Sequence, residues 1–283
     1  MSLGILTNVA ATYAENSLNQ TQNSLQTVLQ QLSSGSRINS GADDAAGLSI
    51  SDGLGANEAA LTQSAQNAQN GVGLLQTADG ALSQVTNLLD RAVTLATEAA
   101  NGGLTTAQSA AADTEFQSIV TEIGNIGSST NFNSTGVFTA TATNFVVSDG
   151  TTAGTTTIAA TIGALTNASV GTASGGGAGQ DLSADVLTSQ TAAQTALSDI
   201  TTAISDVANQ RGAIGANINQ LNAASTVASS EEVNLSSAQS AILSTNYGQA
   251  TSDLAKYQVL SQTGISALAQ ANSEQQEILK LLQ

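Results

Sequence analysis

The stretch QQLSSGSRINSGADDAAGLSI, residues 30–50, separates two long segments with helical periodicity. It collects serines, glycines, an arginine and two adjacent aspartates in a chain of which only 9% is charged. Gly35 and Gly41 permit backbone angles that a helix forbids. Asp43 and Asp44 can cap a following helix, because its N-terminal dipole favours negative charge. The stretch could be a ligand-binding loop, a metal site or a mechanical joint.

Apolar residues on both sides of this stretch are spaced as on one face of a helix. Before it, Leu18, Leu25 and Leu32 repeat every seven residues, with Val28 between them, which predicts a helix with one apolar stripe. After it, three- and four-residue steps alternate in a second stripe that has two polar exceptions. The members of that stripe are Val72, Leu75, Asp79, Leu82, Thr86, Leu89, Val93 and Ala96.

The centre of the chain has a different composition. Residues 101–103, Asn-Gly-Gly, break the second stripe, and a shorter amphipathic helix follows that ends near Gly127. Its apolar positions are Phe116, Ile119, Ile123 and Ile126. Residues 131–179 carry Asp149 as their only charge and predict a small β-rich insert. We interpret Ser174–Gly177 as a flexible link within it. The β-prone pieces are residues 136–138, 144–147 and 155–158.

Helical spacing returns twice after the insert. The first set is Leu197, Ile200, Ile204, Val207, Ile214, Ile218 and Leu221, with Arg211 as its charged exception. The second set is Tyr247, Ala250, Leu254, Tyr257, Leu268, Ala271, Ile278 and Leu282. All stripes are buried if the chain runs out, turns in the insert and returns beside itself. We therefore expect a mainly α fold, with a long antiparallel helical hairpin or coiled coil of the N- and C-terminal segments and a small β-rich central insert.

Composition excludes several classes of function. The chain has 283 residues, no Pro, Cys, His or Trp, and a formal net charge of −16. That charge repels nucleic acid, and the missing residue types remove disulfides, thiol chemistry and histidine-based zinc or acid–base sites. We expect no cofactor, no metal and no enzymatic activity. No apolar run approaches the roughly 20 residues that cross a membrane. Residues 1–18 lack Lys and Arg and do not resemble a cleaved secretory signal, so the protein stays inside or leaves by a route without one.

Four segments together resemble bacterial flagellin. They are LSSGSRINSGADDAAGLSIS (32–51), NAQNGVGLLQTADGALSQV (67–85), NFNSTGVF (131–138) and AILSTNYGQATSDLAKYQVLSQTGISALAQAN (241–272). The resemblance covers about residues 1–140 and 190–283, and the centre resembles nothing that we can name. It implies a secreted, extracellular subunit of the flagellar filament. The terminal helices would line a central channel, the flanking helices would form a second shell, and the subunit would be exported unfolded by the flagellar type III apparatus.

The resemblance also implies a division into five segments. Residues 1–44 are expected to form the N-terminal inner coiled-coil helix plus a connector, and residues 45–140 the N-terminal part of the outer helical shell. Residues 141–183 are the variable β-rich surface insert, of which we expect residues 141–178 to be dispensable for polymerisation. The last two segments are residues 184–240, the C-terminal part of the outer shell, and residues 241–283, the C-terminal inner helix.

The connector, residues 33–44, lies between the two helical shells if the resemblance holds. We expect a mechanical joint in which Arg37, Asp43 and Asp44 also contact neighbouring subunits, with Arg37 pairing with an acid of its own or another copy. The alternative is an ordinary capped linker without special contacts. We expect no metal site here, because two adjacent acids do not provide a converging set of ligands.

A second set of candidate residues concerns a receptor. The segment LDRAVTL, residues 89–95, resembles the flagellin helix recognised by the innate immune receptor TLR5. Arg91 and Leu95 match its contact positions, and Glu115 matches the acidic position on the next helix. Asp90 departs from the uncharged amide usual there. We also expect Arg91 to pair with an acid on an adjacent helix or subunit.

The resemblance further implies partners: other copies of the chain, an export chaperone, and the cap and hook-junction proteins. Two alternative functions remain open, a hook–filament junction protein and a secreted adhesin that uses the Thr-rich insert.

Two other motifs in the sequence do not indicate a binding site. The glycines near Gly71 lack the Gly-Lys-Ser/Thr of a phosphate loop, and Glu231 and Glu232 fit a solvated face. Finally, we expect residues 1–34 and about 245–283 to fold only on polymerisation, since two narrow seams bury little apolar surface.

Overall fold

The computed structural model describes residues 8–149 and 156–281, with side chains up to residue 277. These residues form five helices and six short strands. The helices are α1 Val9–Ser34, α2 Ala45–Ala100, α3 Thr106–Ser129, α4 Gln190–Leu243 and α5 Tyr247–Leu281. The strands are β1 Asn131–Phe132, β2 Thr135–Gly136, β3 Thr143–Val146, β4 Thr157–Ala160, β5 Val170–Thr172 and β6 Ala178–Gln180. The predicted mainly α fold with a small β-rich insert is confirmed.

The chain divides into two compact units. Unit 1 comprises residues 1–56 and 234–283, and unit 2 comprises residues 57–233. Both unit boundaries fall inside helices, within α2 and within α4.

Unit 1 pairs α1 with α5 in antiparallel orientation. The Asn8 side-chain amide donates to the Ala271 carbonyl at 2.9 Å, and at the other end the Thr245 hydroxyl donates to the Gln31 carbonyl at 3.4 Å. The less exposed positions follow three- and four-residue steps on both helices, as a coiled-coil seam requires. On α1 the seam positions are Ala11, Ala14, Leu18, Thr21, Leu25, Val28 and Leu32, with Ser24 and Gln31 also partly shielded beside them. On α5 they are Ala250, Leu254, Tyr257, Ser261, Gly264, Leu268, Ala271 and Gln275, with Asp253 also partly shielded.

The predicted stripes of unit 1 are therefore confirmed, with one correction. Tyr247 is 55% exposed and lies outside the seam, because α5 begins at that residue and the seam starts one turn later at Ala250. The side chain of Ile278 and the whole of Leu282, both placed on the stripe by spacing, lie outside the described residues. Residues 1–7, part of the predicted inner helix, lie outside them too.

Unit 2 contains the main hydrophobic core, built from α2, α3, α4 and the insert. The segments of α2 and α4 run antiparallel, since a side chain on Gly71 would contact Leu221 and Asp79 binds Arg211. On α3, Phe116 and Ile123 are fully buried. The α2 stripe is buried along Ala68, Leu75, Ala78, Leu82, Val85, Leu89, Ala92 and Ala96. Val72 and Val93, which spacing placed on that stripe, are only partly buried at its edge.

The loop between α2 and α3 forms where the sequence predicts a break. Gly102 adopts a positive φ of 66°, a conformation that glycine enters without steric cost. Thr105 then caps α3 in a reciprocal capping box with Gln108. Helix α3 continues to Ser129, two residues past its expected end.

The described residues of the insert form three antiparallel hairpins. The β-prone pieces 144–147 and 155–158 correspond to the second hairpin, residues 136–138 overlap the first only at Gly136, and the third was not predicted. In the second hairpin Phe145 pairs with Ile158; Thr155 lies outside the described residues. The third pairs β5 with β6, with Val170 opposite Gln180. Ser174–Gly177, expected to be a flexible link, is instead the tight turn of this hairpin, in which the Gly176 N–H donates to the Ala173 carbonyl at 2.9 Å.

The insert is part of the core of unit 2. Ile158, Ala160, Ile162, Leu165, Val170 and Leu182 are buried among the helical side chains. The buried Gln210 side chain of α4 donates to the Ile162 carbonyl, and the Ser64 hydroxyl of α2 donates to the Ser148 carbonyl at 2.7 Å. The premise that residues 141–178 form a separable surface element is therefore wrong, because their apolar side chains complete the packing of α2 and α4.

Candidate subunit-contact site

The connector begins with a sharp end to α1. Gly35 has a φ of 75° and its N–H donates to the Gln31 carbonyl at 2.9 Å, the left-handed cap with which many helices end. The Gly35 carbonyl accepts from the Thr245 N–H at 3.0 Å, and Ser36 pairs with Ser244 in an isolated antiparallel bridge. The connector therefore lies against the turn between α4 and α5, within unit 1.

Arg37 binds the carboxyl end of α4. Its guanidinium donates to the Ile242 carbonyl at 3.1 Å, and its backbone N–H donates to the Leu243 carbonyl at 2.6 Å. The last carbonyls of a helix have no partner inside the helix, and they favour a cation at this end. The expectation that Arg37 pairs with an acidic residue of its own chain is wrong, because the ion pairs of the described residues do not include Arg37. A partner on a neighbouring copy stays a prediction.

The two adjacent aspartates have different roles. The Asp44 carboxylate accepts from the Gly47 N–H at 2.8 Å and caps α2, as predicted. Asp43 does not cap the helix. Its carboxylate accepts from the N–H groups of Asn39 and Ser40, at 3.0 and 2.8 Å, and closes the turn before it. These bonds, first that from Asn39 and then those from Ser40, hold the pKa of Asp43 below its usual value.

A buried residue that sequence reasoning missed anchors the connector. Ile38 is 4% exposed, and its Cδ1 would lie 2.7 Å from a side-chain carbon placed on Gly47. A larger residue at position 47 would therefore displace Ile38. The signal was present in the sequence, because Ile38 is the one large aliphatic residue between positions 33 and 44. The connector is thus a fixed joint rather than a loose linker.

The candidate receptor residues lie in unit 2. Arg91 on α2 and Glu115 on α3 form an ion pair at 2.7 Å, with side chains 53% and 47% exposed, as predicted for Arg91. The pair raises the pKa of Arg91 and lowers that of Glu115, mainly through their hydrogen bond. Leu95 is 3% exposed and belongs to the core. Of the three candidates, Arg91 and Glu115 thus present accessible side chains, while Leu95 packs inside.

The two charged exceptions to the apolar stripes bind each other. Arg211 on α4 contacts Asp79 on α2 at 2.7 Å, and this hydrogen bond raises the pKa of Arg211. Their side chains are 38% and 40% exposed, so the pair contributes at most about 1 kcal/mol. The pair joins the two positions at which a charge interrupts the apolar stripes of α2 and α4. Sequence reasoning noted each exception and did not connect them.

The carboxyl group of Asp185, in the loop between β6 and α4, is partly buried next to other acids. One oxygen of Asp185 is buried without a donor, and its carbonyl accepts from the Gln117 side chain at 2.6 Å. Burial, followed by the charge and hydrogen bond of Asp199 and the charge of Asp181, raises the pKa of Asp185 to about 6. Nearby, the Asp113 carboxylate accepts from the Leu187 N–H at 2.7 Å. Asp185 therefore carries a partly buried carboxyl group next to two other acids.

The described residues contain no group of three or more acidic side chains arranged to hold a metal ion. In the same part of the chain, no helix is both long and apolar enough to span a membrane.

Comparison with known proteins identifies the family. Residues 5–143 match the bacterial flagellin N-terminal helical region, and residues 197–282 match the flagellin C-terminal helical region. A flagellar filament 30.7 kDa core protein of Treponema maltophilum is 30% identical over 97% of this chain and 98% of its own length. The chain belongs to the flagellin family. Among other flagellins, the B-type flagellin of Pseudomonas aeruginosa is 42% identical over 47% of this chain.

The Treponema core proteins match this chain over nearly their whole length, whereas the Pseudomonas flagellin matches it over a part of its own. This flagellin spans 98% of the 33 kDa core protein of Treponema phagedenis, at 31% identity, whereas its match to the Pseudomonas flagellin covers 27% of that protein. The crystal structure of Bacillus cereus flagellin matches 57% of this chain and 88% of its own, with 26% identity and a TM-score of 0.46. The two matched terminal regions of the family, residues 5–143 and 197–282, leave residues 144–196 between them.

Proposed function

We propose that the chain is a structural subunit that polymerises into an extracellular bacterial flagellar filament and serves swimming motility. The observation that carries the proposal is the pairing of α1 with α5 in unit 1. Two long helices from opposite ends of the chain share one narrow seam, in which Leu, Val and Tyr alternate with Ala and other small residues. A helical pair with a single seam needs neighbours to bury its remaining faces.

The outer faces of this pair support assembly with other copies. Several large apolar residues on α1 and α5 are exposed although the seam is closed: Val9, Tyr13, Leu29, Val259, Leu260 and Ile265. Between them the surface is mostly Ser, Thr, Asn and Gln rather than charge. In typical soluble domains about a quarter of all residues are charged. A surface this poor in charge is suited to contacts between copies of one chain.

The connector supplies candidates for those contacts. Arg37, Asp43 and Asp44 have exposed or half-exposed side chains, and their local bonds hold them in fixed positions. We infer that the guanidinium of Arg37 retains free N–H groups that can reach a carbonyl or carboxylate of an adjacent copy. The ordinary capped-linker alternative predicts that these residues matter for folding alone.

The further partners follow from family membership alone. We infer passage through the flagellar type III export apparatus with a chaperone, and contacts with cap and hook-junction proteins. We assign no catalytic activity, since the family is structural. For recognition by TLR5, the accessible Arg91–Glu115 pair supports a contact surface. The burial of Leu95 restricts its part to packing behind that surface.

A polymerisation assay tests the proposal. Purified protein should form long uniform filaments visible by negative-stain electron microscopy. Val28→Asp places a charge in the seam, where Val28 is 8% exposed, and should abolish filaments. Gln22→Asp adds the same charge at an exposed position of the same helix and should leave them. Short caps or monomers from the unmodified chain would instead favour the junction protein or the adhesin.

A further inference from the structure

The sequence contains two Asn-Gly pairs, Asn70-Gly71 and Asn101-Gly102. Glycine leaves the backbone nitrogen after an asparagine unshielded, because it has no side chain. That nitrogen can attack the side-chain amide carbon of the asparagine when the backbone is free to bring the two together. The two pairs have the same local chemistry, so the fold alone decides how they differ.

Asn101-Gly102 lies in the loop between α2 and α3. Asn101 follows the last residue of α2 and is exposed. Its N–H donates to the Glu98 carbonyl at a long 3.3 Å. Among the described residues, no hydrogen bond occupies the Gly102 N–H or the Asn101 side chain. The Gln190 side chain lies 3.2 Å from a side-chain carbon placed on Gly102, but it bonds neither group, so no hydrogen bond of the described residues holds the nitrogen or the amide back from reaction.

Asn70-Gly71 lies in the middle of α2 and is protected. Gly71 is a buried helical residue, and its N–H belongs to the helical hydrogen-bond ladder. A side-chain carbon on Gly71 would lie 2.9 Å from Leu221 and 3.1 Å from Phe145. Attack at this position therefore requires α2 to open within the core of unit 2.

We propose that Asn101 is a site of spontaneous covalent modification, at which the side-chain amide is lost and aspartate or isoaspartate forms. The Gly102 nitrogen gives up its proton to water or hydroxide and bonds to the Asn101 side-chain carbon. The bond from that carbon to the amide nitrogen breaks, and ammonia leaves with the proton it needs. Water then opens the cyclic imide at either carbonyl. No oxidant or cofactor is required.

The modification changes the end of α2. The new carboxylate lies directly after the helix, where the dipole favours cations over anions, and one turn from Glu98. When the ring opens to isoaspartate, the backbone of the loop also gains a carbon atom. Both products should loosen the last turn of α2, so an old subunit differs from a new one at this loop.

Peptide mapping by mass spectrometry tests the proposal on the full-length folded protein. Trypsin separates the two sites, because cleavage at Arg37, Arg91 and Arg211 places Asn70 and Asn101 in different peptides. After incubation at mildly alkaline pH, Asn101 should convert at least about tenfold faster than Asn70, since α2 must open before Asn70 can react. In urea the two rates should become similar, because the local sequences are alike.

Two variants act as controls. Asn101→Gln keeps the amide but needs a larger, slower-forming ring, so conversion at this position should stop. Asn101→Asp reproduces one product and should expose the last turn of α2 to faster amide hydrogen exchange. Equal conversion of Asn70 and Asn101 in the folded protein, or faster conversion of Asn70, overturns the proposal.

Discussion

Replacing Asp185 by asparagine should stabilise the protein at neutral pH. Asp185 has one buried oxygen without a donor and faces the carboxyl group of Asp199, and its pKa is raised from 3.8 to about 6. The folded chain therefore favours the neutral acid. Its contribution to stability is complete below about pH 4 and is lost as pH rises through about 6, because the unfolded chain ionises more easily.

The size of this effect follows from the pKa difference. A rise from 3.8 to about 6 corresponds to a ceiling of about 3 kcal/mol, at about 1.4 kcal/mol per pKa unit. Asp185 is half-exposed, so water screens much of that energy, and we expect about 1 kcal/mol. Asparagine carries no charge at any of these pH values and its amide can donate to Asp199, so the variant should gain this energy at neutral pH.

Urea denaturation followed by circular dichroism measures the effect at about pH 4.5 and about pH 7. The unmodified protein should lose stability between the two, and Asp185→Asn should lose less. Asp181→Asn is the matched control. The Ser183 hydroxyl and N–H lower the pKa of Asp181, so its removal loses favourable bonds. It relieves only the smallest of the causes that raise the pKa of Asp185, so Asp181→Asn should not stabilise the fold as Asp185→Asn does. A variant no more stable than the unmodified protein at neutral pH would refute the reasoning.

Three further predictions concern assembly. Arg37→Ala should leave helicity near normal and impair polymerisation or alter filament shape; normal filaments and motility would contradict a role in subunit contacts. Residues 141–178 were expected to be dispensable for polymerisation, but replacing them with a Gly/Ser linker should destabilise unit 2 by on the order of several kcal/mol, because buried side chains are lost; thermal unfolding measures this. Brief proteolysis should remove residues 1–34 and 245–283 from monomers and spare them in filaments. Equal resistance in both would show that the terminal pair is formed before assembly.

Helical periodicity predicted the helices well, because a stripe on one face is a local property of the chain. The α1 and α5 seams, the break at Gly102 and the cap at Asp44 were all readable from spacing and residue type. Distant partners were not. Asp79 and Arg211 looked like two defects in separate stripes, and the three-dimensional register makes them one ion pair. The sequence suggested an acidic partner for Arg37, whereas in the structure its guanidinium binds a carbonyl at the end of α4.

The insert shows where composition misleads. Ser174–Gly177 suggested flexibility, because small residues are frequent in linkers, and Gly171 was not noticed. In the structure a side chain on Gly171 would collide with the backbone of α4 at Asp206 and Val207. The glycine therefore permits close packing of β5 on the helix. The need for glycine at position 171 depends on the helix that packs against it in space, and residue spacing along the chain does not predict that contact.

The bonds of Arg37 have a consequence for a filament exposed to acid. A salt bridge fails when its carboxylate takes up a proton, but the carbonyls of Ile242 and Leu243 do not titrate under any condition in which cells live. Asp43, whose pKa lies below its usual value, also keeps its charge further into the acid range. Acidification that neutralises ordinary carboxylates would therefore leave the bonds of Arg37 to α4 in place.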